Sequence, residues 1–151
     1  MNFDQKSIEQ ENKDPLIGKF TGVDGEIYIS NIRTVYYNEM AKIILKSIPK
    51  VEENYIRLWR GSRPNEVNQN TIVTNSLIGI ALPFMYAYEG VMAYVDVPKS
   101  EFMNYVSKGA VAENSEFMLP NTYKGKFKVV DPNIYKKFEA ENPNEMMSSK
   151  I

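Results

Sequence analysis

The stretch Leu77 to Val95, LIGIALPFMYAYEGVMAYV, decides the fold, and it carries one charge, Glu89. It is long enough to cross a bilayer, which takes about 20 apolar residues. Two features argue against a span. Pro83 and the Glu89-Gly90 pair divide it into two shorter pieces, and no Lys or Arg anchors flank it closely. It reads instead as a buried helix over 77–88, a turn, and a buried strand ending at Pro98.

On the N-terminal side, the stretch from Asn54, NYIRLWRGSRP, alternates Tyr55, Arg57 and Trp59 against Ile56, Leu58 and Arg60, the period of a strand. Arg57 and Arg60 are three residues apart and so fall on opposite faces. Before it, NIRTVYYNEMAKIILKSI repeats apolar residues at three- and four-residue steps, with Asn31 as N-cap and Pro49 at the exit. GKFTGVDGEIYISN reads as a loop or short hairpin. TIVTNS is a short strand whose Asn75 or Ser76 caps the helix that follows. On the C-terminal side come a short helix, KSEFMNYVSKG, that Gly109 closes, then two strands, EFMLP and GKFKVVDP. The sequence from Tyr135, YKKFEAENPNEMMSSKI, reads as a fraying polar tail, and residues 1–14 as a loose tail or short helix. This order makes the chain α+β, an N-terminal helical part followed by a mixed, mainly antiparallel sheet, in a single domain over 1–151.

Composition limits the chemistry. The chain has 151 residues, 43% hydrophobic and 25% charged, and a net charge of −1. That is average globular usage, with no bias toward nucleic acid or a membrane surface. There is no Cys and no His. Thiolate chemistry, Ser-His-Asp hydrolysis and His-based zinc sites are therefore excluded. Catalysis would run on carboxylates, Arg, Lys, Ser, Thr and Tyr. The N-terminus lacks the apolar stretch of a signal peptide, which leads us to expect a cytoplasmic protein.

Three polar groups stand at predicted strand ends: Arg60-Gly61, Thr74-Asn75-Ser76, and Glu116 with Asn114 two residues before it. Each alone has a simpler structural reading: a strand-end Arg with a turn Gly, ordinary N-cap residues, and a solvated loop glutamate. Taken together and in order, they resemble the mono-ADP-ribosyltransferases of the Arg-Ser-Glu class, which includes bacterial toxins and phage-encoded transferases. The resemblance rests on LWRG, on TIVTNSLIGIALPF with Ala81 and Phe84, on YVDVPKS, on NSEFMLPNT, and on YKGKFKVV. It runs from about Tyr55 to Val130, with the preceding helix in the place of the family's N-terminal helical part.

The resemblance implies a two-sheet NAD-binding core and NAD as substrate, with no metal. It makes Glu116 the carboxylate at the ribose, Arg60 the holder of phosphate and ribose, Gly61 a backbone partner of the nicotinamide amide, and Thr74 the hydroxyl that steadies Glu116. Ser76, the one matching serine, and Asn114 join the expected catalytic set, Asn75, Phe84 and Arg63 complete the expected NAD contacts, and Tyr86 and Tyr88 are further rings that stack on a base or pack in the core. Thr74 and Asn75 replace the family's Ser and Thr. Asn114 stands where the family has Glu or Gln, is neutral, and cannot deprotonate an arginine. The implied activity is transfer of ADP-ribose to a macromolecule in a bacterial cell, a host protein first and RNA second. NAD hydrolysis and a non-catalytic binding role are the alternatives. Lys124, Lys126 and Lys128 read as a solvated strand face rather than a contact for an acidic target.

Overall fold

Residues 19–21, 27–29, 32–69, 74–75, 78–107, 116–120 and 122–142 are described in the structure, a computed structural model. Strands β1 (Lys19–Thr21) and β2 (Ile27–Ile29) form an antiparallel hairpin. Helix α1 (Ile32–Ser47) follows, then β3 (Tyr55–Ser62), β4 (Thr74–Asn75), α2 (Ile78–Ala87) and β5 (Val91–Pro98). Helix α3 (Lys99–Ser107), β6 (Glu116–Phe117), β7 (Lys128–Val129) and α4 (Lys136–Glu141) complete the order. The larger sheet runs β6-β4-β3-β5-β7, and every described pairing in it is antiparallel. The α+β class holds, and no parallel pair occurs among the described strands. At Asn75 and Glu116 the description is of the backbone.

The long β3–β5 ladder, Tyr55 opposite Pro98 through Ser62 opposite Val91, is the spine. Its two faces feed two cores, as strand alternation requires. Trp59, Met92 and Tyr94 join Tyr36, Met40, Ile44, Ile78 and Leu82 from α1 and α2. Ile56, Leu58, Ala93, Val95 and Val97 join Phe102, Phe117, Leu119 and Phe127 on the other face. Both faces are covered, which explains why Leu58, Trp59, Ala93 and Val97 are buried in succession along the two strands. Arg57 lies on the first face, where Nε and Nη2 donate to the two carboxylate oxygens of Asp96 at 2.7 and 2.9 Å and Nη1 donates to the Pro49 carbonyl. Arg60 lies on the second.

The segment 77–95 folds as a helix, a turn and a strand, and among the described residues no helix is long and apolar enough to cross a membrane. Pro83 does not break α2: it sits inside the helix, where its missing N–H would have reached only Gly79, in the first turn. The helix ends in two bonds, Glu89 N–H to the Tyr86 carbonyl at 3.1 Å and Gly90 N–H to the Met85 carbonyl at 2.8 Å. That is the double closure of a Schellman motif. The left-handed position is filled by Glu89, at φ 50°, and not by the glycine beside it. Gly90 is required elsewhere: a Cβ there would stand 2.0 Å from the Ser62 carbonyl oxygen. A left-handed L-residue costs about 1–2 kcal/mol, partly offset by the greater freedom glycine has when unfolded. Glu89→Gly should therefore raise stability by about 0.5–1 kcal/mol. An unchanged or lowered urea midpoint would reject this.

The C-terminal stretch departs from expectation. From Tyr135 to Asn142 the chain is not a frayed tail: Tyr135 is buried and residues 136–141 are helical, so 140 and 141 belong to α4. The pattern that ties it down is non-local. Phe138 stacks on Tyr36 at 5.1 Å, and the Tyr86 hydroxyl donates to Glu139 Oε2 at 2.8 Å while lying 3.1 Å from the Tyr36 hydroxyl. Burial, then the hydrogen bonds with Tyr36 and Glu139, push the Tyr86 hydroxyl well above its ordinary pKa. Tyr86→Phe removes the donor to a carboxylate and should cost about 1–2 kcal/mol. A urea titration that overlays the wild type would exclude that contribution. The strand expected over GKFKVVDP also shrinks, to Lys128–Val129, with Lys124 and Lys126 exposed outside regular structure. EFMLP keeps strand pairing only at Glu116–Phe117, although Phe117 and Leu119 point inward and Met118 outward. Residues 1–14 and 143–151, Asn31 and Gly109 lie outside the described residues.

Candidate functional site

Three short sequence motifs meet on neighbouring strands. Trp59 of β3 stands opposite Asn75 of β4, and Asn75 stands opposite Glu116 of β6. The backbone thus brings the LWRG strand, Thr74-Asn75 and Glu116 side by side, although they are far apart in sequence. Thr74 is fully buried, and its hydroxyl donates to the Phe117 carbonyl at 3.0 Å. The bond pins the β6 backbone at the residue after Glu116. Asn114 and Ser76 lie outside the described residues.

Arg60 is 0% exposed and lies in the second core. Its Nη1 donates to the Val67 carbonyl at 2.7 Å and to the Gln69 carbonyl at 2.9 Å. The guanidinium carbon sits 4.1 Å from the centre of the Phe127 ring, a cation–π distance. Burial lowers the Arg60 pKa to about 10, and the nearby Tyr123 pulls the other way. The group therefore stays charged at neutral pH, matched by backbone dipoles and a ring face.

Gly61 lies on the opposite face from Arg60. A Cβ on it would stand 2.4 Å from the Met85 nitrogen and 2.5 Å from the Ala81 oxygen, both backbone atoms of α2. The close neighbour that the glycine admits is a helix.

The remaining expected contacts lie apart. Tyr86 belongs to the first core. Phe84 on α2 and Tyr88 just past its end are 37% and 44% exposed. Arg63 leaves β3 for solvent, where it reaches Glu66 Oε1 at 3.5 Å and covers the Tyr88 ring at 5.2 Å. An exposed pair of this kind contributes at most about 1 kcal/mol. Two open cavities among the described residues, of about 320 Å³ beside Tyr86 and Glu139 and about 670 Å³ beside Tyr55 and Lys99, are lined by neither Arg60, Thr74 nor Glu116. No group of three or more His, Cys, Asp or Glu among the described residues is placed to hold a metal ion.

Sequence reasoning missed what surrounds Arg60. Val67, Gln69 and Phe127 hold it, two of them through backbone carbonyls, which no side-chain pattern announces. A buried Arg between Leu58 and Ser62 was itself the available signal: a strand buried on both faces forces any Arg in it to find acceptors. Comparison with protein-family models, with curated proteins and with solved structures gave no match.

Proposed function

We propose that the chain is a mono-ADP-ribosyltransferase with an NAD-binding core of that family's type, acting on a macromolecular acceptor inside a bacterial cell, a protein by preference. The observation that carries the reading is the register: Trp59 opposite Asn75, and Asn75 opposite Glu116. It puts the three motifs of the resemblance on adjacent strands, with Arg60 one residue past Trp59.

NAD brings its own leaving group. The bond from ribose C1′ to the nicotinamide nitrogen breaks, nicotinamide leaves with the electron pair, and the acceptor's nucleophile bonds to C1′ and sheds a proton. In this reading Glu116 supplies negative charge where positive charge develops on the ribose, the electrostatic part of the catalysis. The β6–β4 pairing and the Thr74 bond to the Phe117 carbonyl hold the backbone that carries it. Arg60 is a charged group two strands away, on the face of β3 opposite Trp59, suited to a pyrophosphate. Phe84 on α2 and Tyr88 just past its end offer exposed rings for a base, on the α2 side of the sheet, opposite Arg60. Asn114 is neutral, which favours an acceptor that needs no strong base, or water.

Incubation with NAD labelled in the adenylate half tests the reading. Label on protein from a bacterial lysate supports transfer. Free ADP-ribose alone would convert the proposal to a glycohydrolase, and unchanged NAD would refute it.

A further inference from the structure

Arg60 is charged and yet completely covered, and the cover has an identifiable fastening. Residues 64–69 supply the Val67 and Gln69 carbonyls at 2.7 and 2.9 Å, and Phe127 supplies its ring at 4.1 Å. The segment opens with a 3₁₀ turn, Pro64–Glu66, that buries none of its residues. Within 64–69 only the Val67 side chain is buried. Its other ties are local: Glu66 N–H to the Arg63 carbonyl at 2.9 Å and Gln69 N–H to the Glu66 carbonyl at 3.0 Å.

Asn68 is different. It lies between the two residues whose carbonyls hold Arg60, and its Oδ1 accepts from the Phe127 N–H at 2.8 Å, across 59 residues of sequence. One side chain therefore fastens the carbonyl segment to the residue whose ring forms the other cover. Asn68 itself is exposed.

We infer that residues 64–69 form a strap over Arg60, that the Asn68–Phe127 hydrogen bond is its latch, and that Asn68 is a positioning residue controlling access of an anionic ligand to the Arg60 guanidinium. A phosphate or pyrophosphate takes Arg60 only when the strap yields its carbonyls. The apparent affinity for such a ligand then scales with the fraction of molecules in which the strap is open. For NAD as that ligand, the inference rests on the transferase reading; the strap and its latch do not.

A neutral hydrogen bond of this kind corresponds to a factor of roughly two to ten in an equilibrium. Asn68→Ala should thus expose Arg60 roughly two- to tenfold more often. The experiment has two arms on the full chain. In the first, phenylglyoxal modifies exposed arginines and the sites are mapped by mass. Modification of Arg60 should accelerate by that factor in N68A. Arg57, held by Asp96, should stay protected in both proteins, and exposed Arg63 should react in both. Asn68→Asp keeps an acceptor oxygen for the Phe127 N–H and should restore slow modification.

In the second arm, the KM for NAD should fall in N68A by the same factor with kcat unchanged. Structural damage moves KM the other way. Wild-type rates of Arg60 modification in N68A, or a raised KM, would overturn the inference. If the wild type consumes no NAD, the transferase reading fails and the modification arm alone decides the strap. If N68A does not fold, the Asn68→Ser and Asn68→Asp pair is compared in its place, with fast modification expected in the first and slow in the second; equal rates would overturn the inference.

Discussion

Glu116→Gln is expected to lower the rate of nicotinamide release from NAD by about 10²–10³-fold, the usual loss when one preorganised electrostatic contact to a transition state is removed. The substitution keeps size, deletes the charge and turns one acceptor oxygen into an amide donor. Its effect should therefore fall on kcat, since positive charge on the ribose develops in the transition state and not in bound NAD. Thr74→Val provides the contrast. It removes the bond to the Phe117 carbonyl, so it should cost about 1 kcal/mol of stability. Glu116→Gln should shift stability by no more than about 0.5 kcal/mol. Release of labelled nicotinamide, measured beside urea unfolding of both variants, separates a chemical role from a scaffolding one. Full activity in the Gln variant would remove Glu116 from the mechanism.

Most of the fold was readable where local pattern and burial agree. β3, β5, α1, α2 and α3 are each long enough for apolar periodicity to show, and the membrane-length stretch was resolved by one Glu-Gly pair. The unread parts depend on distant partners. Helix α4, KKFEAE, has four charged residues and one large apolar side chain, Phe138, to bury. It is held because Tyr36 and Tyr86 wait for it on α1 and α2, a fact absent from its own sequence. β6 and β7 pair over two residues each, too short for alternation to mark their ends. At the candidate site, the meeting of the strands was legible from motif order, whereas the partners were not. The Thr74 hydroxyl bonds the Phe117 carbonyl, and Arg60 is held by carbonyls contributed by a polar loop. Backbone acceptors leave no trace in residue type, so such a site can be located from sequence more readily than its hydrogen bonds can be assigned.

Gly61 separates two explanations for one residue. If its purpose were to let a nucleotide amide approach the backbone, Gly61→Ala would fold like the wild type and lose only NAD binding. The structure predicts a different lesion. The added methyl carbon would fall 2.4 and 2.5 Å from the Met85 nitrogen and Ala81 oxygen. Both are backbone atoms, so no side-chain rotation relieves the overlap, and α2 must move off the sheet. That movement would loosen the packing of Ala81 and Met85, both nearly fully buried in the first core. Overpacking costs about 1–3 kcal/mol, and occasionally more; a backbone-to-backbone overlap puts Gly61→Ala at the upper end, about 3 kcal/mol. For a chain of this size that is a fall in Tm of about 6–12 °C. Calorimetry of the variant without ligand gives the answer. A Tm equal to that of the wild type would show that α2 can yield and that the glycine serves another purpose. A lowered Tm would place the demand for glycine in the seating of α2 on β3, one residue beyond Arg60. The strand end that carries the candidate phosphate ligand is then held by α2 on one face and by the second core on the other.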